Sequence, residues 1–96
     1  MIEHLTHDVF VRLVNTTFRF RRDNAVVEAT LVKVTPSKHG GADNVGFSLL
    51  FQSVTTEGYL PQGISTLEHP ELPATELFMV PVGPSSGGMR YEIILN

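Results

Sequence analysis

Apolar and polar positions alternate with a period of two along most of the chain, the pattern of strands with one face in a core. The clearest run is Val45-Gly46-Phe47-Ser48-Leu49-Leu50-Phe51-Gln52. Phe47, Leu49 and Phe51 share one face, and Leu50 breaks an otherwise small or polar opposite face. This predicts a central strand, covered on one side and partly covered on the other. Thr16 to Arg22 alternates in the same way, with Phe18 and Phe20 inward and Arg19 and Arg21 outward. Arg22-Asp23-Asn24 is a polar turn, and Ala25 to Val34 returns with Val27, Ala29 and Leu31 inward. Val34 is out of phase with Leu31. A bulge near Val32 or Lys33, or a strand passing between two sheets, accounts for the shift.

Three further strands follow. Ile64 to His69 places Ser65, Leu67 and His69 on one face. Glu76 to Val82 is apolar on both faces, with Pro81 expected at its end or at an edge. Met89 to Asn96 aligns Tyr91, Ile93 and Leu95. Between them, Thr35 to Asn44 and Gly83 to Gly88 read as mobile loops, and His69 to Ala74 as a stiff connector with two prolines. Ile2 to Asn15 reads differently. Thr6 can cap a helix, Asp8 suits its first turn, and Phe10, Leu13 and Val14 form an apolar stripe. Asn15 ends it in the left-handed conformation.

The expected fold is all-β: a small six-stranded antiparallel barrel or two-layer sandwich with one short N-terminal helix, a single domain over residues 1–96. Its predicted core is Phe18, Phe20, Leu31, Phe47, Leu49, Phe51, Phe78, Tyr91 and Ile93.

Composition narrows the picture only a little. Seven basic and ten acidic residues give a net charge of −3, and they are spread along the chain. Nucleic-acid binding usually needs a basic stripe, so no nucleic-acid partner is expected. There is no cysteine, hence no disulfide framework and no thiolate metal site. No signal segment and no apolar run near twenty residues is visible, so a soluble chain with no membrane partner is expected.

Candidate chemistry is sparse. His4 and His7 are spaced to share a helical face, but no third ligand is fixed by spacing, and no metal or other cofactor is expected. His69 shares the inward parity of Leu67 and reads as a histidine satisfied by a backbone carbonyl at a strand end. Gln62, between Pro61 and Gly63, reads as an amide that fixes a loop. Both residues are also the candidates for lining a pocket. Arg19, Arg21 and Arg22 beside Phe18 and Phe20 read as a solvated edge over core rings. The Ser85-Ser86-Gly87-Gly88 run lacks the lysine and following helix of a phosphate loop. No nucleophile elbow or spaced carboxylate pair is present, so no enzymatic activity is expected.

Several motifs together carry a family likeness: Phe47-Ser48-Leu49-Leu50-Phe51, Leu60-Pro61-Gln62-Gly63, Leu67-Glu68-His69-Pro70, Leu77 to Gly83, and Tyr91-Glu92. Their order and spacing resemble an uncharacterised family of small bacterial all-β domains, often encoded beside phage tail-collar or tail-fibre-like proteins. The likeness spans nearly the whole chain. Asn15, and the Leu72-Pro73-Ala74 stretch, stand where that family usually has glycine. The resemblance implies a structural or accessory role in a tail-like assembly, in the cytoplasm or in a phage-like particle, and no reaction.

The surplus of apolar positions points the same way. Leu50, Leu77, Met79 and Ile94 fall opposite the predicted core and are the expected contacts with a protein partner or with further copies of the chain. The alternative expectation is a barrel holding a small apolar ligand or a sugar. An enzyme using His69 as a base is a further alternative, with no nucleophile partner visible.

Overall fold

The computed structural model describes residues 6–36, 46–54, 59–85 and 87–95. A short helix, α1 (His7–Arg12), precedes six strands: β1 (Thr17–Arg22), β2 (Ala25–Pro36), β3 (Phe47–Ser53), β4 (Gly63–His69), β5 (Leu72–Ser85) and β6 (Gly88–Leu95). They close in the order β1-β2-β3-β6-β5-β4, with every neighbouring pair antiparallel. The fold is therefore a barrel, not a sandwich, and closure leaves no strand edge to protect.

The helix forms where its signals lie. The Thr6 side chain accepts a hydrogen bond from the Val9 N–H at 3.3 Å, and Asp8 sits in the first turn. The helix ends earlier than expected, with Leu13 as its C-cap, and Asn15 adopts the left-handed conformation two residues further on, at φ 74°. The Asn15 N–H then donates to the Leu31 carbonyl at 2.7 Å, which ties the helix exit to β2. Phe10 and Leu13 are buried, and Val14 packs partly against them. The helix thus closes one end of the barrel.

Inside, aromatic rings fill the space. Phe51 meets Phe18 and Phe20 edge-on at 5.3 and 4.9 Å between centroids, and Phe20 meets Tyr91 at 5.5 Å. Phe10 approaches Phe18 and Phe47 at 6.2 and 5.9 Å. The expected core positions are buried, with one exception, Phe78.

That exception comes from β5. The strand is longer than expected. It starts at Leu72, so the supposed connector shrinks to a turn at Pro70-Glu71, and it runs to Ser85. A segment apolar on both faces has no phase of its own; the neighbouring strand supplies it. Ser65 and Leu67 on β4 point inward, and Ser65 stands opposite Leu77, Gly63 opposite Met79. Met79 is accordingly fully buried, and Phe78 faces outward with about half of its surface exposed.

Pro81 is likewise not at an end or an edge. It lies within β5 opposite Tyr91, beside a register shift between Pro81 and Gly83. A bulge tolerates the missing N–H as an edge would. The bulge expected in β2 is present between Leu31 and Lys33, within one sheet.

The Gly83 to Gly88 loop is mostly strand. Gly83 to Ser85 belong to β5, and Gly88 opens β6. A Cβ on Gly88 would overlap the Ser53 carbonyl, so only glycine lets β3 and β6 approach there. Of the other expected loop, Thr35 and Pro36 extend β2, and residues 37–44 lie outside the described residues, as does Val45 of the central run.

Candidate functional site

Around the outside of the barrel two surfaces differ in chemistry. Along β1 and the end of β4 the outward charges satisfy one another. Arg19 pairs in register with Glu68, and Arg21 with Thr66. The Arg21 guanidinium grips the Glu68 carboxylate through two hydrogen bonds, Nε to Oε2 at 3.1 Å and Nη2 to Oε1 at 3.3 Å. Arg19 stands further off, at 4.0 Å. The bond from Arg21 holds the Glu68 carboxyl below the usual carboxylate range, against a smaller opposing effect of desolvation, with the charges of Arg21 and Arg19 adding to the lowering. The arginines expected on a solvated edge are thus on a closed sheet, and two of them share one carboxylate.

Across the start of β4, the middle of β5 and the end of β6 lies a second surface, whose outward positions are apolar and exposed. Ile64 and Phe78 face each other across β4 and β5, exposed by 53% and 52%. Val82 and Ile94 are exposed by 49% and 61%. Val80 adjoins Phe78 on the same face, and stands opposite Glu92 on β6. Glu92 in turn stands opposite Leu50 on β3, and Leu50 opposite Lys33 on β2. Among the described residues, neither Glu92 nor Lys33 makes an ion pair.

Of the four expected contact residues, two reach this surface. Ile94 is exposed and Leu50 is half-buried, both outward. Leu77 points inward and is partly buried against the core, and Met79 is wholly inside. In their place stand Phe78 and Ile64, which the alternation of β5 alone does not reveal. The usable signal is in β4: with Ser65 and Leu67 inward, Ile64 must face out, and its partner Phe78 with it.

His69 lies beneath the helix end. Its Nδ1 accepts the Glu71 N–H at 3.0 Å, so the ring proton is on Nε2. That N–H donates to the Thr16 hydroxyl at 3.0 Å, and the hydroxyl donates onward to the Leu13 carbonyl at 2.6 Å. The ring also packs on Phe18, centroids 4.4 Å apart. His69 is therefore satisfied by a backbone N–H and a hydroxyl, not by a carbonyl directly. It links the β4–β5 turn to the helix exit.

Gln62 is exposed, and Arg22 does the work assigned to it. The Arg22 guanidinium donates to the carbonyls of Pro61 at 2.7 Å and Ile64 at 3.1 Å, and to the Ser65 hydroxyl at 2.9 Å. Gly63 lies beneath it at φ 153°, where a Cβ would press on the guanidinium carbon at 3.3 Å. Tyr91 is the other buried polar group nearby. Its hydroxyl accepts the Leu60 N–H at 3.0 Å, and burial pushes its pKa up.

Two shallow recesses flank the Pro70-Glu71 turn. One, of about 210 Å³, lies between α1 and the start of β5, against Val9, Arg12 and Glu71. The other, of about 200 Å³, lies over Arg19, Glu68 and His69. His7 stands edge-on to Phe47 at 5.7 Å and 3.5 Å from Asp8; His4 lies outside the described residues. Among the described residues, no three of His, Asp and Glu gather as a metal site would require.

No curated protein and no solved structure matches the chain. A family model does, over residues 5–95, which takes in the helix, all six strands and both outer surfaces. The chain belongs to the family described as Domain of unknown function (DUF6916).

Proposed function

We propose that the chain is a non-enzymatic structural or adaptor protein of a phage-tail-like or related assembly, acting through protein–protein contacts. The observation that carries this reading is the outward Ile64–Phe78 pair, extended by Val82 and Ile94. Large apolar side chains half exposed and adjacent across a sheet mark a contact surface more often than a solvated one. The barrel interior supports the same reading. Among the described residues its inward positions are occupied by aromatic and aliphatic side chains, Ser53 and Ser65 apart, and the two recesses beside the Pro70-Glu71 turn, of about 210 and 200 Å³, fall short of the roughly 300–1,000 Å³ of small-molecule sites. A ligand-holding barrel is therefore the weaker alternative. The tail-like setting rests on the resemblance of the sequence motifs.

The test is co-purification with the products of the genes beside its own, using the wild type and an Ile64→Ser/Phe78→Ser double variant. A complex with the wild type, lost in a double variant that still melts cooperatively, is the expected result. A complex that the double variant keeps, or no complex with any neighbour, would overturn the assignment of this surface.

A further inference from the structure

The register places two charges of opposite sign, neither with an ion-pair partner among the described residues, symmetrically about Leu50. Crossing the sheet from β2 through β3 to β6, the outward residues run Lys33, Leu50, Glu92. Lys33 and Glu92 are two strand spacings apart, about 10 Å, with Leu50 between them, and they make no ion pair with each other. A two-fold axis lying along β3 through Leu50 would lay each Lys33 on the other copy's Glu92, with Leu50 on Leu50. This is the self-complementarity an isologous contact requires.

The other strands cannot host that axis. A two-fold along a strand brings each of its outward residues onto its own copy, and like charges placed opposite one another repel. β1 presents Arg19 and Arg21, β2 presents Glu28 and Lys33, β4 presents Glu68, β5 presents Glu76, and β6 presents Arg90 and Glu92. β3 alone presents uncharged residues outward: Ser48, Leu50 and Gln52. The flanking rows also agree. Ile94 would meet Thr35, and Arg90, already bonded through Nε to Gln52 Oε1 at 2.9 Å, would meet Thr30.

We infer that the outer face of β3, with Lys33 and Glu92 on either side, is a docking surface for a second copy of this chain. It goes beyond the adaptor reading, with which it shares only Ile94; that reading is tested at Ile64 and Phe78 and this one at Lys33 and Glu92, so each holds or fails separately. Both barrels are convex, so the contact is small and reversible, and its charge pairs make it sensitive to salt.

The test is sedimentation equilibrium of the purified chain, with the reversals Lys33→Glu and Glu92→Lys alone and together. All are outward positions, and a thermal melt of each checks the fold. The wild type should show a monomer–dimer equilibrium that weakens as salt rises, a readout needing no variant. Each single reversal should weaken the dimer at least tenfold, because it sets like charges opposite each other twice. The double reversal should bring the dissociation constant back to within about threefold of wild type, since both pairs are restored with exchanged signs. A monomeric wild type at the highest soluble concentration would overturn the inference. So would a dimer indifferent to salt and to both single reversals, or a double variant no tighter than the singles.

Discussion

Phe51 and Phe78 lie on β3 and β5, the two strands that flank β6 in the same closed sheet, yet they have opposite surroundings. Phe51 has no exposed surface and touches two other rings edge-on. Phe78 has 52% of its surface exposed, and its partner across β4, Ile64, is itself exposed. Residue type does not separate them. Phase does: Phe51 shares the parity of Phe47 and Leu49, whereas Phe78 alternates with the inward Leu77 and Met79. A closed barrel of this size has room for one apolar face per strand. What remains apolar on the other face contributes little to folding and is free for contact with another molecule.

Reversing the phase should have the largest effect. Met79→Lys buries an ammonium among apolar side chains with no partner for it, at a cost above about 4 kcal/mol. A domain of this size commands about 5–15 kcal/mol in all, so the variant should be unfolded or nearly so by circular dichroism. Ile94→Lys places the same group outside, and its melting curve should be within about 0.5 kcal/mol of wild type. If the two lysine variants melted alike, the assignment of inner and outer faces would be wrong.

Much of this was legible in the alternation. The central strand, the β1–β2 hairpin, the bulge near Val32, the helix with its Thr6 cap and the left-handed turn at Asn15 all follow from local signals of period, cap and turn. β5 did not, for a physical reason. Leu77, Phe78, Met79 and Val80 give no contrast between faces, so the strand takes its phase from β4, a non-local fact. The prolines at 73, 81 and 84 also suggested breaks. In the barrel they lie within a single strand of 14 residues, one of them beside a bulge. Arg22 was hidden because its acceptors, Pro61 and Ile64, are carbonyls of a distant segment that no side-chain pattern announces.

Next in size is Gly88→Ala. The added methyl has the Ser53 carbonyl in its way, and backbone on one strand must move from backbone on another. A loss of about 2–3 kcal/mol in urea unfolding is expected, although the site is at a turn where alanine is ordinarily harmless. Arg22→Lys keeps the charge but loses the fork that reaches Pro61, Ile64 and Ser65 together. It should cost about 1 kcal/mol, and hydrogen exchange should rise at the start of β4, where Ile64 is presented.

The smallest effect belongs to the charged surface. The Glu68 carboxyl lies below its usual value in the folded chain because Arg21 bonds its ionised form. The ion pair's contribution is therefore complete above about pH 4.3, the unfolded value, and is lost as pH falls through the lower folded value. Glu68→Gln should flatten the acid side of the stability profile and change the neutral midpoint little. An unaltered acid profile would mean that the Arg21–Glu68 pair is not maintained in solution.

The central claim is that inward rings make the fold and outward rings are surplus to it. Urea unfolding of Phe51→Ala and Phe78→Ser, side by side on the isolated chain, tests this most directly. Phe51→Ala should lose about 3–5 kcal/mol, the cost of a ring removed from a filled interior. Phe78→Ser should lose less than about 1 kcal/mol, the worth of one exposed cross-strand pair. Comparable losses in the two variants would contradict the account, because Phe78 would then be part of the core.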